Sequence, residues 1–404
     1  MKILIILLFI FYFPISLVLK AQDSLKQDLQ VFILNKNVLE KTKKSFESGR
    51  TYSSLQYTDL LKAVRKILMN SPHSVMDKSQ VPPGGDKHDY MSLGVYWWPD
   101  SHSENGEPYI RKDGRKNPEA GGFTDHKFLT ETNERIFNLA LAYYFSGDED
   151  YAKKAVKLLR VWYLDPETKM NPNLNYAQAI KGKNTGRGAG VLDGRSIAYM
   201  IEGLGLMNSS PSFTKDDKKE IHQWITEYRT WLLESKNGKD ESNAKNNHGT
   251  WYAVQVMSTS LYLGLTDYAK EYAERLKTKR IDYQIESDGR QPEELVRTTS
   301  LHYSWFNLEA IVTFAAMANN LGLDYWNYVS TDGRSIKKAI DYLFPYTSGD
   351  ETWPYQQISP LGTAVPVTVL LYAYKFYGDK KYLDLAVKLD EHKLKSRYEI
   401  LYLF

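Results

Sequence analysis

The chain of 404 residues has no cysteine, so no disulfide staples it and no thiolate serves as nucleophile or metal ligand. The missing cysteine at the leader junction argues against a lipoprotein anchor. A strong charge of either sign is also missing: 52 basic against 49 acidic residues leave a net +3. No basic block of five or more residues occurs, so nucleic acid is not an expected partner. Strand-like alternation is scarce and no β-α-β rhythm is visible, which argues against a doubly wound sheet. The stretch 181–188, rich in Lys and Gly, lacks the Gly-Lys-Ser/Thr ending of a phosphate loop. It reads instead as a cationic loop over a cleft.

What is present begins with a leader. Lys2, the nearly all-apolar run Ile3 to Leu19 and the small Ala21 predict an export signal over residues 1–21. Export without disulfides fits a periplasmic or secreted protein, with no stable membrane insertion after cleavage. Residues 22–404 then form one domain. From Asp23 onward most long segments have helical spacing, including Asp28 to Lys44 and Leu55 to Met69. A poorly periodic section, Ser71 to Phe123, interrupts them and carries Tyr96-Trp97-Trp98-Pro99-Asp100 and Pro108-Tyr109-Ile110-Arg111. A loop that long inside a compact domain is usually functional.

A repeat follows. Gly147, Gly264 and Gly378 each precede a Tyr by four places, and Gly322 precedes Trp326 likewise. With Gly205 these glycines fall roughly 58 residues apart, each after an apolar helix and before another, the mark of stacked helical hairpins. The fold class predicted is all-α, with about six or seven hairpins closing by analogy into an incomplete (α/α) toroid.

Two clusters carry the chemistry. In the first, Asn243 to Tyr252, polar residues precede the apolar run Ala253 to Leu265. Asn246 or Asn247 is placed to cap that helix, and its N-terminal field disfavours an imidazolium at His248. The second, Gln291 to Leu308, holds Arg297, a planar cation for a carboxylate, and Tyr303, a phenol able to exchange a proton near a cation. Asn247, His248, Arg297 and Tyr303 together suit β-elimination from a uronic acid polymer. That reaction removes a weakly acidic proton beside a carboxylate, which must be neutralised meanwhile. No metal or cofactor is called for. The aromatics Tyr96, Trp97, Trp98 and Trp251 are read as sugar contacts, with Asn246 and His302 beside the reacting groups. Arg111, Lys181, Lys183, Arg187 and Lys245 are read as cations selecting a polyanion. A glycoside hydrolase is the alternative enzyme, drawing paired carboxylates from Asp193, Glu202, Glu293, Glu294 and Glu309. A non-catalytic glycan-binding protein is the other.

The Asn-Asn-His segment, the Glu-Leu-x-Arg that ends at Arg297 and the Leu-x-Tyr that ends at Tyr303 resemble the alginate lyase superfamily. So do the two motifs of the long loop, and the likeness spans Ser71 to Trp353 in scattered pieces. The resemblance implies an α/α toroid, cleavage of mannuronan- or glucuronan-type polyuronates, and roles in the reaction for Asn247, His248, Arg297 and Tyr303. One departure stands out. The family's mannuronate lyases place the arginine one residue further from the tyrosine, with a second basic residue between, where this chain has Thr298, Thr299 and Ser300.

Overall fold

The computed structural model describes residues 29–48, 51–362 and 364–389. The expected leader, 1–21, lies outside them. Among the described residues no helix is long and apolar enough to cross a membrane. Helices dominate: α1 (Lys36–Glu47), α2 (Thr51–Met69), α3 (Asp125–Ser146), α4 (Glu149–Leu159), α5 (Ile197–Leu206), α6 (Lys215–Glu234) and α7 (Lys236–Ser242). They continue as α8 (Asn247–Tyr262), α9 (Thr266–Leu276), α10 (Pro292–Leu295), α11 (Ser300–Asn320), α12 (Ile336–Ser348), α13 (Ala364–Tyr377) and α14 (Lys380–Leu389).

These helices fall into two kinds. α5, α8 and α11 are buried almost all round, whereas α4 and α9 bury one stripe and expose the other. A helix apolar on every side needs neighbours on every side, so the first kind forms the interior. In packing order α3 lies against α5, α5 against α8, α8 against α11, and α11 against α13. Each of α3, α8 and α13 is followed by a shorter helix folded back on it. Gly147, Gly264 and Gly378 make those reversals with φ of 71°, 73° and 71°, a region that costs glycine nothing.

Two members of the glycine series differ from expectation. Gly322 has the positive φ, but no helix follows it directly. Asp324 instead accepts from the Asn327 backbone and side chain, and Tyr325 and Trp326 plug the core from that turn. Gly205 makes no turn at all: it lies inside α5, where a Cβ would come within 1.7 Å of the Gln30 carbonyl.

Close approach there reflects a second correction. Helix was expected from Asp28, yet α1 begins only at Lys36, and residues 29–35 run non-helically across the end of α5. The Glu202 carboxylate, fully buried, accepts the backbone N–H groups of Phe32 (2.7 Å), Ile33 (2.7 Å) and Leu34 (3.3 Å). A hydrogen-bonded tether has outcompeted helical propensity. Glu202→Ala strands these donors, each worth about 1–3 kcal/mol when buried, so about 3 kcal/mol or more of stability is expected to go. Urea unfolding followed by circular dichroism reads this directly. A midpoint equal to wild type would mean that the carboxylate does not anchor the segment.

The long irregular section forms short strands rather than helix. β1 (Met91–Leu93) pairs in parallel with β4 (Tyr176–Ala179), and β2 (Trp97–Trp98) pairs antiparallel with β3 (Ile110–Arg111). The β2–β3 ribbon sets Trp97 opposite Arg111 and lays the aromatic motif over the mouth of a cavity.

Candidate active site

That cavity, about 1110 Å³, is lined by inward stripes of α3, α5, α8, α11 and α13 and is overhung by residues of the β2–β3 section. At three- and four-residue spacing, α11 contributes His302, Tyr303, Phe306 and Glu309, and α8 contributes His248 and Trp251.

His248 is set by the start of α8. Asn246 caps the helix, its Oδ1 accepting from His248 N at 3.3 Å. Gly249 permits the next contact: a Cβ there would fall 2.2 Å from the Ala244 carbonyl and 2.6 Å from Arg280 Nη1. Arg280 instead donates to Ala244 O at 2.8 Å and ties down the turn before His248. The imidazole Nδ1 lies 2.7 Å from Oε1 of Glu241, a buried carboxylate on α7. Donation from Nδ1 fixes the ring and leaves Nε2 as the edge available to the cavity.

Tyr303 and Arg297 form one unit. The guanidinium carbon sits 3.6 Å from the centroid of the phenol ring, and the phenol donates to the Tyr96 hydroxyl at 2.7 Å. Burial pushes the Tyr303 pKa well above its ordinary value, against an opposing pull from Arg297, so the phenol rests protonated. Arg297 is itself clamped by Asp113, with Nε at 3.1 Å from Oδ2 and Nη2 at 2.8 Å from Oδ1. Arg111 donates to the same carboxylate at 2.7 Å, and Thr298 adds its N–H and hydroxyl. Burial works against ionisation of Asp113, yet donation from Arg297 and Thr298 outweighs it and holds the carboxyl well below the usual range. Arg297 thus has its fork occupied and its face on the phenol.

Asn247 differs most from expectation. It is fully buried, absent from the cavity wall, and directs Nδ2 to both oxygens of Glu294, at 3.0 and 2.8 Å. Its backbone N–H reaches Oε1 at 2.6 Å. Burial pushes the Glu294 carboxyl up to about 7, while the Asn247 donors pull it down. Asn246, not Asn247, lines the cavity.

Tyr96, Trp97, Arg111, Arg187, Trp251 and His302 also line it. Trp251 is only 1% exposed and backs the Phe306 ring, at 5.5 Å, from the core side. Burial, with Lys116 and Arg297 nearby, lowers the His302 pKa, so that imidazole is neutral at pH 7. Arg187 is oriented by Gln178, whose carbonyl and Oε1 accept at 3.0 and 2.8 Å. Gln178 is in turn pinned to Asp193 through Nε2 (2.9 Å) and holds a φ of 49°, a strained conformation for a side-chain-bearing residue. Asp193 was offered above as a hydrolytic carboxylate. It instead accepts from Tyr90, Ser92 and Gln178.

Trp98, Lys181 and Lys245 do not line the cavity. The Trp98 indole donates to the Arg115 carbonyl with Lys112 over its ring, Lys181 pairs with Glu119, and Lys245 lies over Tyr283. Period-2 alternation explains the first, since Trp97 and Trp98 must face opposite ways on one strand. Lys183 stays near the mouth, 4.6 Å from the Trp97 ring.

The alginate lyase family profile matches residues 74–353. A solved alginate lyase from Bacteroides ovatus is 41% identical, covering 93% of this chain and 99% of its own, with a TM-score of 0.87. The chain belongs to the alginate lyase family. It is a polysaccharide lyase. Alginate lyase A1-III from Sphingomonas species A1 shares the fold at 17% identity, covering 82% of this chain and 90% of its own, with a TM-score of 0.51. A tetrasaccharide complex of A1-III gives 16%, 89%, 91% and 0.57 for the same measures. No curated protein matched. Membership displaces the hydrolase and binding-protein readings. Three of the five carboxylates offered for hydrolysis are also engaged elsewhere, Asp193 by three side chains, Glu202 by backbone and Glu294 by Asn247.

Proposed function

We propose that this polysaccharide lyase cleaves a mannuronan- or glucuronan-type polyuronate by β-elimination, as an exported single-domain protein. Its hairpins are read as an incomplete (α/α) toroid with the cavity as the central cleft. The observation that carries the reading is the convergence of tethered His248, Arg297 and Tyr303 on one cavity wall.

In this mechanism the uronate carboxylate is met by the Nε2–H of His248 as an imidazolium, its other N–H donated to Glu241, and by the Nδ2 amide of Asn246, while Asn247 and Glu294 hold the turn from behind. The phenolate fraction of Tyr303, its proton given up to solvent and its charge met by the Arg297 face, takes the C5 proton as charge moves onto the carboxylate. The C4–O bond breaks, a C4–C5 double bond forms, and the same phenol returns the proton to the leaving glycosidic oxygen. Arg297 serves the phenolate rather than the substrate carboxylate, because Asp113 already occupies its fork.

Incubation with mannuronan, glucuronan and neutral glucans tests the reading through the ultraviolet absorbance of the new double bond. Absorbance with a polyuronate and none with neutral glucans is expected; reducing ends without absorbance would refute it. KM on the polyuronate should also rise between about 0.05 and 0.5 M salt, since screening weakens attraction to the cationic mouth.

A further inference from the structure

The cavity wall also carries charged side chains that the mechanism does not use, among them one just before α5 and one on α11. Arg195 and Glu309 both line it. Neither side chain makes a hydrogen bond or an ion pair within 4.0 Å to any described residue, although the Arg195 charge acts on the Glu309 carboxyl. Charged groups taken from bulk water are ordinarily paired, so a guanidinium and a carboxyl that line one cavity without bonding each other are open to polar groups of a ligand. Burial lifts the Glu309 carboxyl to about 7, with Arg195 opposing, so near neutral pH it both donates and accepts.

Beside Arg195, and three residues before Glu309 on α11, lies an aromatic ring, Phe306. The Arg195 guanidinium is 5.7 Å from the Phe306 centroid, and that ring is held by Trp251 at 5.5 Å and by parallel stacking on His302 at 6.1 Å. An apolar ring for a pyranose face, a fork for a carboxylate and a carboxyl for hydroxyls together match one acidic sugar. Tyr303 and Glu309 are six residues apart on α11, so this place lies roughly 9 Å along the helix from the reacting phenol. It would hold a sugar other than the one that loses its proton.

We propose that Arg195, Phe306 and Glu309 form a second uronate subsite, which grips the polymer beyond the sugar being cleaved. This rests on the polyuronate reading above. The subsite adds binding only for oligomers long enough to reach it. Chain length therefore becomes part of the enzyme's selectivity.

The test compares a length series of mannuronate oligomers on wild type, Arg195→Ala, Arg195→Lys and Glu309→Gln. Double-bond formation is measured as kcat/KM, and calorimetry measures oligomer binding to Tyr303→Phe with and without Arg195→Ala. One lost charge-assisted contact predicts about a tenfold to hundredfold fall in kcat/KM for Arg195→Ala on the longer oligomers. The shortest cleaved oligomer should change by no more than about threefold, and Arg195→Lys should restore part of the loss because it keeps the charge without the fork. Equal losses at every length, or none, would overturn the subsite while leaving the lyase reading intact. Affinity that depends on Arg195 without cleavage by wild type would uphold the subsite and overturn the reaction. Absence of both binding and cleavage would overturn both.

Discussion

Tyr303→Phe is expected to lower turnover at least about a hundredfold while KM moves by no more than about twofold. The ring keeps its place against Arg297, at 3.6 Å, so packing and the cation-π contact survive. What disappears is the one proton the residue exchanges and its 2.7 Å hydrogen bond to Tyr96. A loss confined to kcat marks an interaction made in the transition state rather than in substrate binding. The pH profile supplies a second check. Burial holds the phenol above its ordinary pKa, so the reactive phenolate fraction grows as pH rises. For wild type, kcat/KM should therefore climb between about pH 6 and 9. A Tyr303→Phe enzyme with near-normal turnover would remove Tyr303 from the chemistry and leave His248 as the base.

The elements that sequence exposed were those with a local signature. Apolar periodicity marked α8 and α11, and glycine after an apolar run marked three hairpin turns, because helix geometry and a positive φ depend on neighbours in the chain. The cap at Asn246 was legible for the same reason. The residues that organise the reacting groups were not. Glu241 sits in a polar stretch, Lys236–Ser242, that reads as solvated surface, yet folding buries it against His248. Asp113 lies in an Asp-Gly pair that reads as a turn, and it is Arg297, 184 positions away, that gives it a role. Asn247 and Asn246 are indistinguishable as letters. Only the placement of Glu294 decides which amide is buried and which lines the cavity.

His248→Ala is expected to cost about a hundredfold to a thousandfold in kcat/KM, the range seen when a donor to developing negative charge is removed. The size follows from burial: the imidazole is 20% exposed and its Glu241 partner 4%, so the contact acts where water screens little. Glu241→Gln separates the ring from its orientation. The amide keeps the volume and can still accept from Nδ1, but it supplies no charge to stabilise a proton on the ring. A smaller loss, about tenfold, is expected there, with the pH dependence of kcat/KM displaced relative to wild type. Stereochemistry then decides between roles for His248. On mannuronate or glucuronate the C5 proton and leaving oxygen share a face, so Tyr303 serves both steps and His248 only neutralises the carboxylate. On guluronate they lie on opposite faces, and His248 would have to be the base. The measurement is the His248→Ala loss on mannuronan against that on guluronan, each relative to wild type. Activity confined to guluronan, and abolished there by the substitution, would reverse the assignment and make His248 the base with Tyr303 the acid.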